Sequence, residues 1–144
     1  MRLLDADILA YALYDESPAH QEAWSYFEHC IRENLSLNVT PTTILETYNT
    51  LYWYYKVRPL KPLIEKIKLT LEAITIVETS IDGLTVSHTD NIPLGDGFLI
   101  ATAKKHKLPI IVSNDQHIIK QTPKHGLLHE NPITAETRTK LGIQ

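Results

Sequence analysis

Short apolar runs alternate with longer helical patterns along this chain, and this alternation limits what it can fold into. The first run, residues 2–5, ends in an aspartate and is followed at once by a helical pattern. Further strand patterns lie at residues 35–39, 74–78, 108–113 and 127–130. A repeated order of strand then helix is typical of a parallel sheet with helices on both faces. The sequence therefore predicts an α/β fold, a three-layer α/β/α sandwich with a central, mainly parallel sheet.

Two serine or threonine residues that precede a proline mark helix starts. Ser17 before Pro18 predicts an N-cap and a first helical residue, and Thr40 before Pro41 repeats the signal. The later helices are expected at residues 63–73, 95–107 and 115–121.

The remaining segments give weaker patterns. Pro59 and Pro62 are expected to frame a turn, and the stretch around Gly83 and Pro93 is predicted to be irregular. The tail, residues 131–144, leaves a final helix and a loose end both open.

Length and composition favour one intracellular domain. A chain of 144 residues with 43% hydrophobic content suits a single domain, expected over residues 1–144 with a core of about 1–130. Its only cysteine, Cys30, has no intramolecular partner for a disulfide, which fits a reducing compartment. No apolar run is long enough for a signal peptide or a bilayer span. We therefore expect a cytoplasmic protein without a membrane partner.

Four acidic residues that are distant in sequence are predicted to meet at one edge of this sheet. Asp5 ends the first strand, and Asp115 follows the strand at 108–113. Glu46 lies early in the helix after the second strand, and Asp96 opens the helix before 108–113. Ligand sites in parallel α/β sheets form beyond the carboxyl ends of the strands, so these side chains are expected to converge there.

Such a cluster favours a particular chemistry. Carboxylates held close together repel one another, and a hard divalent cation removes the repulsion. Mg²⁺ or Mn²⁺ would take oxygen ligands at this site and assist hydrolysis of a phosphate ester.

Three segments, LLDADILAYAL, TPTTILETYNTL and IPLGDGFLIATAKKHKLPIIVSND, together resemble the PIN domain nucleases, which include the VapC toxins of toxin–antitoxin pairs. The resemblance spans residues 1–130 and implies a PIN-like fold and a Mg²⁺- or Mn²⁺-dependent endoribonuclease. It implies that the catalytic and metal-binding residues are Asp5, Glu46, Asp96 and Asp115. Ser113 falls at the family's hydroxyl position. Asp7 lies where the family often has asparagine, so its role as ligand or supporting acceptor stays open.

Each acid also has a structural explanation. Asp7 is a candidate N-cap for the first helix, and Asp115 for a later one. Glu46 projects opposite the apolar face of its helix, which by itself predicts a solvated side chain. Asp96 shares a stripe with Ile100 and Ala103, and its structural explanation is a favourable charge near the start of a helix.

The expected partners come from two sources. The resemblance implies an RNA substrate and a possible antitoxin. The aromatic residues Trp53 and Tyr54 lie on a helix with more aromatics than one core face requires, which predicts an interface such as that of a homodimer.

Two alternative functions remain. The segment DAD with a later LGD resembles haloacid-dehalogenase phosphatases, although Leu9 stands where that family has threonine or valine. A non-catalytic PIN-fold scaffold that binds proteins is the other.

Overall fold

The computed structural model describes residues 1–142 and contains one five-stranded parallel sheet. Its strands are β1 (Arg2–Leu4), β2 (Leu37–Val39), β3 (Thr75–Ile76), β4 (Ile110–Val112) and β5 (Leu128–Glu130). The strand order is β3-β2-β1-β4-β5, and every neighbouring pair is parallel. This order places β1 at the centre, with β4 beside it.

Helices connect the strands. They are α1 (Ala6–Leu13), α2 (His20–Arg32), α3 (Pro41–Asn49), α4 (Leu60–Leu71), α5 (Gly83–Asp90), α6 (Leu94–Lys105), α7 (Gln116–Gln121) and α8 (Ala135–Lys140). A π-helical turn, Thr50–Tyr54, extends α3, and a 3₁₀ turn, Thr122–His125, follows α7. Within residues 1–142, no helix combines the length and the apolar character that crossing a membrane requires.

The two faces of the sheet carry separate hydrophobic cores. Neighbouring strand residues point to opposite faces, and Leu4 and Val112 pack in the core that also buries α1, α2 and α4. Their neighbours Leu3 and Ile111 pack in the other core, with α6 and α7. The predicted three-layer α/β/α arrangement with a parallel sheet is therefore confirmed.

The helix starts are partly as predicted. Thr40 caps α3 by accepting a hydrogen bond of 3.0 Å from the backbone N–H of Thr43, as expected. The prediction for Ser17 was wrong, because its hydroxyl accepts from the N–H of Ala19 in a preceding turn and α2 begins only at His20. The predicted turn before α4 was also too long. The helix begins at Leu60, and Pro62 lies in its first turn, where a missing N–H costs no helical hydrogen bond.

One helix was missed. The stretch from Gly83 to Asp90 forms α5, although it was expected to be irregular. It packs closely on α6: a Cβ added to Gly97 would lie 2.5 Å from the carbonyl oxygen of Gly83. Tertiary packing therefore stabilises a segment whose own composition does not favour a helix. The tail was expected to be either a final helix or a loose end, and within its described residues it forms the helix α8. Residues 143 and 144 lie outside the described residues.

Candidate metal centre

The site lies at the carboxyl ends of β1 and β4, which are neighbours in the sheet. Asp5 follows β1 directly, and its backbone N–H donates to the carbonyl of Val112, the last residue of β4, at 2.9 Å. The loop 113–115 then leaves β4 beside it. The sheet therefore sets Asp5 against this loop, as the sequence predicts.

Asp5 is half-buried and fixed through both carboxylate oxygens. Oδ1 accepts from the N–H of Ala6, and Oδ2 accepts from the hydroxyl of Ser113, each at 2.7 Å. Asp5 is thus the N-cap of α1, and the prediction that Asp7 would be the cap was wrong. Extended backbone at Asp5, directly before the first helical residue, gives it the cap geometry. Burial, and then the charge of Asp115, raise the pKa of Asp5.

Asp7 turns both oxygens toward backbone donors. Oδ1 accepts from the N–H of Ile8 at 2.7 Å, and Oδ2 accepts from the N–H of Asn114 at 2.9 Å. Burial, and then the charge of Asp5, hold the pKa of Asp7 well above its usual range. These contacts are those of a side chain that holds the loop 113–115 in place.

Ser113 and Asp115 are linked within that loop. The Ser113 hydroxyl, which donates to Asp5, accepts from the N–H of Asp115 at 2.9 Å. Asp115 caps α7 by accepting from the N–H of His117 at 2.8 Å. One hydroxyl therefore fixes the relative position of the two acids that end neighbouring strands.

Two asparagines that were not predicted from the sequence, Asn114 and Asn131, hold the loop 113–115 through buried hydrogen bonds. Asn114 is 1% exposed; its Oδ1 accepts from the amide of Asn131 at 2.9 Å, and its own amide donates to the Tyr11 hydroxyl at 3.4 Å. Asn131 in turn accepts from the N–H of Ile133 at 3.0 Å. The segment after β5 thus contacts the site loop. The only sequence feature that could have identified Asn114 is its position next to Asp115. No sequence feature indicates Asn131.

Asp96 lies in the first turn of α6 and is only 8% exposed. Its Oδ2 is buried and has no hydrogen-bond partner among the described residues. The pKa of Asp96 is raised to about 7, first by burial and then by the charges of Asp115 and Asp5. The charge of His117 opposes this shift, and that of Glu46 contributes to it. Ile100 and Ala103, which share its stripe on α6, are buried as well.

Glu46 on α3 is solvent-exposed as a side chain, as helical periodicity predicts, yet its carboxylate faces α6. A Cβ added to Gly95 would lie 3.5 Å from Oε2 and 3.6 Å from Oε1 of Glu46. Partial burial of the carboxylate, followed by the charge of Asp5, raises the pKa of Glu46. The glycine therefore leaves room beside this carboxylate, one residue from Asp96.

The acids influence one another electrostatically. The charge of Asp115 raises the pKa of both Asp5 and Asp96, and that of Asp5 raises the pKa of Glu46. Among residues 1–142, no three acidic, histidine or cysteine side chains are already arranged to hold a metal ion. The donor set nevertheless fits a hard divalent cation, since it consists of carboxylate oxygens and includes a buried oxygen without a partner.

The sequence profile of the PIN domain family matches residues 2–117, and the chain belongs to that family of nucleases. The match gives no support to the resemblance to haloacid-dehalogenase phosphatases. A search of curated proteins finds no match.

Solved structures with the same fold include two proteins. One is PAE2754 from Pyrobaculum aerophilum, with 17% identity and a TM-score of 0.65 over 89% of this chain and 82% of that one. The other is VapBC2 from Rickettsia felis, crystallised with a DNA fragment from its promoter, with 16% identity and a TM-score of 0.65. That alignment covers 90% of this chain and 97% of the other.

Proposed function

We propose that the protein is a metal-dependent endoribonuclease that hydrolyses RNA phosphodiester bonds and acts as the toxin of a toxin–antitoxin pair. The observation that carries the proposal is the buried Oδ2 of Asp96, which has no hydrogen-bond partner within residues 1–142 and whose carboxyl group lies in the field of Asp5 and Asp115. A buried carboxylate among like charges is unfavourable alone and favourable beside a cation. Membership of a nuclease family supports the same activity.

The ligands proposed for Mg²⁺ or Mn²⁺ are Asp5, Glu46, Asp96 and Asp115. When bound, the cation supplies positive charge that stabilises the phosphoryl oxygens and lowers the pKa of a water molecule. Ser113 holds Asp5 by a hydrogen bond to Oδ2, which fixes the orientation of this carboxylate. Glu46, with its raised pKa, is suited to orient the attacking water and to accept its proton.

Asp7 has a positioning role in this proposal. Both of its oxygens accept backbone hydrogen bonds, so it fixes the loop that carries Ser113 and Asp115. Contacts of this kind orient ligands and typically affect metal affinity or activity by about 10- to 100-fold.

RNA as substrate is compatible with the charge of the chain. The net charge is -3, with 17 acidic and 14 basic residues. Neutralisation of four acids by bound cations would leave the basic residues in the majority, so the rest of the surface need not repel a polyanion.

We further propose a homodimer and an antitoxin partner. Trp53 and Tyr54 are 57% and 76% exposed, and aromatic residues of this kind are common anchors in interfaces. The similarity in fold to VapBC2 favours an antitoxin as a partner. Light scattering at micromolar concentration should give the mass of a dimer, and a monomer would contradict that part of the proposal.

The test of activity is cleavage of a mixed-sequence single-stranded RNA in Mg²⁺, in Mn²⁺ and in EDTA. Wild type is compared with Asp5→Asn and with Asp82→Asn, the latter a matched loss of an exposed acid that caps no helix through its side chain. We expect cleavage that needs metal, is lost in Asp5→Asn and is retained in Asp82→Asn.

Mn²⁺ binding is measured on the same samples. A wild type that binds no metal and cuts no RNA would contradict the proposal and favour a non-catalytic scaffold. Cleavage that persists in EDTA or in Asp5→Asn would show that the acids are not the catalytic centre.

A further inference from the structure

A cavity lies away from the acids, where the C-terminal end of α1 meets the π-helical turn and the start of α4. It has a volume of about 320 Å³. Its aromatic and basic lining residues are Tyr14, Tyr55, Lys56, Arg58 and Lys66. Nothing in the proposed hydrolysis uses this cavity.

Two helices connect the cavity to the candidate metal centre. Asp5 caps the start of α1 and Tyr14 caps its end. Glu46 lies on α3, and Tyr55 follows the π-helical turn that extends it. α1 and α3 pack against each other, and the eight residues of α1 cover about 12 Å. A polymer bound at the acids therefore has the cavity within the reach of a few monomer units.

The aromatic residues provide stacking surfaces at this position. Tyr14 and Tyr55 are stacked, with ring centroids 4.4 Å apart and an interplanar angle of 16°. Both rings are half-buried and line the cavity. Unpaired bases stack on rings of this kind.

Two basic side chains of the cavity, Arg58 and Lys66, are held in position by contacts within the protein. The Arg58 guanidinium lies 3.5 Å from the centroid of the Tyr52 ring and donates to the carbonyl of Val57 at 3.2 Å. Lys66 Nζ donates to the carbonyl of Leu13 at 2.8 Å. Two cations are thus held at the cavity by contacts within the protein.

Lys56 adds a third cation, which is exposed. Its backbone has φ 59°, in the left-handed region that a lysine rarely adopts. This conformation is common directly after the last residue of a helix, and here it follows the C-cap Tyr55 of the π-helical turn. Asp15 and Glu16 also line the cavity and offer acceptors.

We propose that this cavity, formed by the end of α1, the π-helical turn and the start of α4, binds one nucleotide of the single-stranded RNA substrate. The proposal rests on the proposed ribonuclease activity. A nucleotide matches the mixed lining, because its base stacks on tyrosine, its phosphate pairs with lysine or arginine, and its amino groups donate to carboxylates. The cavity thereby holds the strand a few nucleotides from the bond that is cut.

The chain offers a matched pair of lysines for the test. Lys107, between α6 and β4, is also exposed and has φ 56°. Lys56→Asn and Lys107→Asn each remove one charge and introduce a residue that tolerates this conformation. Both changes are made in the Asp5→Asn protein, so that RNA is bound without being cut, and affinity for a fluorescent mixed-sequence RNA is measured by anisotropy over a range of salt concentrations.

We expect Lys56→Asn to weaken RNA binding about tenfold and to reduce the salt slope by about 1, as for one lost phosphate contact, while Lys107→Asn changes neither. Tyr55→Leu keeps an apolar contact with Tyr14 but removes the ring. Relative to the Asp5→Asn protein, it is expected to weaken RNA binding roughly tenfold. Thermal unfolding of each variant confirms that the fold is intact.

Other results would overturn the proposal. Equal affinities for the two lysine variants would show that Lys56 contributes only general charge. A change in molecular mass by light scattering in Lys56→Asn alone would assign the cavity to a protein contact. Wild-type cleavage is measured separately: metal-dependent cleavage with unchanged RNA affinity in Lys56→Asn refutes the nucleotide site and leaves the proposed function standing, and absence of cleavage refutes the function itself.

Discussion

The backbone N–H of Asn114 donates a hydrogen bond of 2.9 Å to Oδ2 of Asp7, and this bond joins the start of α1 to the loop after β4. The two residues are 107 positions apart in the sequence. Ser113 and Asp115, on either side of Asn114, belong to the proposed catalytic centre. The position of that centre therefore depends on a carboxylate that is not proposed as a metal ligand.

Replacement of Asp7 tests this dependence. Asp7→Ala leaves the N–H groups of Asn114 and Ile8 without acceptors and is expected to destabilise the protein by about 1–3 kcal/mol. Cleavage should fall by about 10- to 100-fold. Asp7→Asn keeps one acceptor for Asn114 and should be milder on both measures. Hydrogen exchange of the Asn114 amide checks the cause, and unchanged protection in Asp7→Ala would contradict it.

Asn131 tests the support of the loop from the C-terminal side. Asn131→Ala removes the donor to Asn114 Oδ1 and the acceptor for Ile133, so we expect a loss of about 1–2 kcal/mol and weaker Mn²⁺ binding. Tyr11→Phe removes only the longer contact of 3.4 Å and should cost less. The exposed Asn49 provides the control, because Asn49→Ala should leave Mn²⁺ binding unchanged. Equal Mn²⁺ affinities in Asn131→Ala and Asn49→Ala would refute the supporting role.

Much of the site could be predicted because strand ends in a parallel sheet share an edge. Asp5 and Asp115 follow from that rule alone, and Asp96 follows from its position at the start of α6, the helix before β4. Glu46 did not follow from its helix, since periodicity describes one helix and its carboxylate faces a second one, next to Gly95. The contact between Asn114 and Asn131 was missed for the same reason, because neither residue has a local pattern that indicates the other.

The missed helix α5 shows a further limit of local patterns. Gly83 lies in a stretch that was expected to be irregular, yet it and Gly97 allow α5 and α6 to approach closely. A Cβ at Gly83 would lie 2.3 Å from Cδ1 of Phe98, so a larger residue there would push the helices apart. Close approach of two helices is a property of the pair, and it cannot be read from either segment alone.

The raised pKa of Asp96, about 7, predicts how the stability of the metal-free protein depends on pH. The folded protein holds a proton that the unfolded chain releases near pH 4, so this proton stabilises the fold at low pH and its contribution is lost as pH rises through about 7. Asp5, Asp7 and Glu46 have raised pKa values and act in the same direction. Unfolding free energy in EDTA should therefore decrease from pH 5 to pH 8.

Asp96→Asn isolates this effect. The variant should be more stable than wild type at pH 8 without metal, by on the order of 2 kcal/mol, because the amide carries no buried charge. Mn²⁺ should stabilise wild type more at pH 8 than at pH 5.5, since the ligands must lose their protons, and should stabilise Asp96→Asn much less. Asp82→Asn, at an exposed position, should follow wild type throughout. A pH slope that is the same in wild type and Asp96→Asn would refute this account.

Gly95→Ala tests whether the space beside Glu46 is used. The new Cβ would lie 3.5 Å from Oε2 of Glu46, an ordinary contact, so the fold should be retained and stabilised by up to about 0.5 kcal/mol through helix propensity. Cleavage and Mn²⁺ affinity should nevertheless fall roughly tenfold, because the methyl group fills the room beside the carboxylate. Gly97→Ala should have the opposite effect on stability. Its Cβ would lie 2.5 Å from the carbonyl oxygen of Gly83, so about 1–3 kcal/mol of stability should be lost. If Gly95→Ala cleaves RNA as fast as wild type and binds Mn²⁺ equally well, no metal ion binds Glu46 in the space beside Gly95. That result would contradict the proposal that Glu46 is a metal ligand.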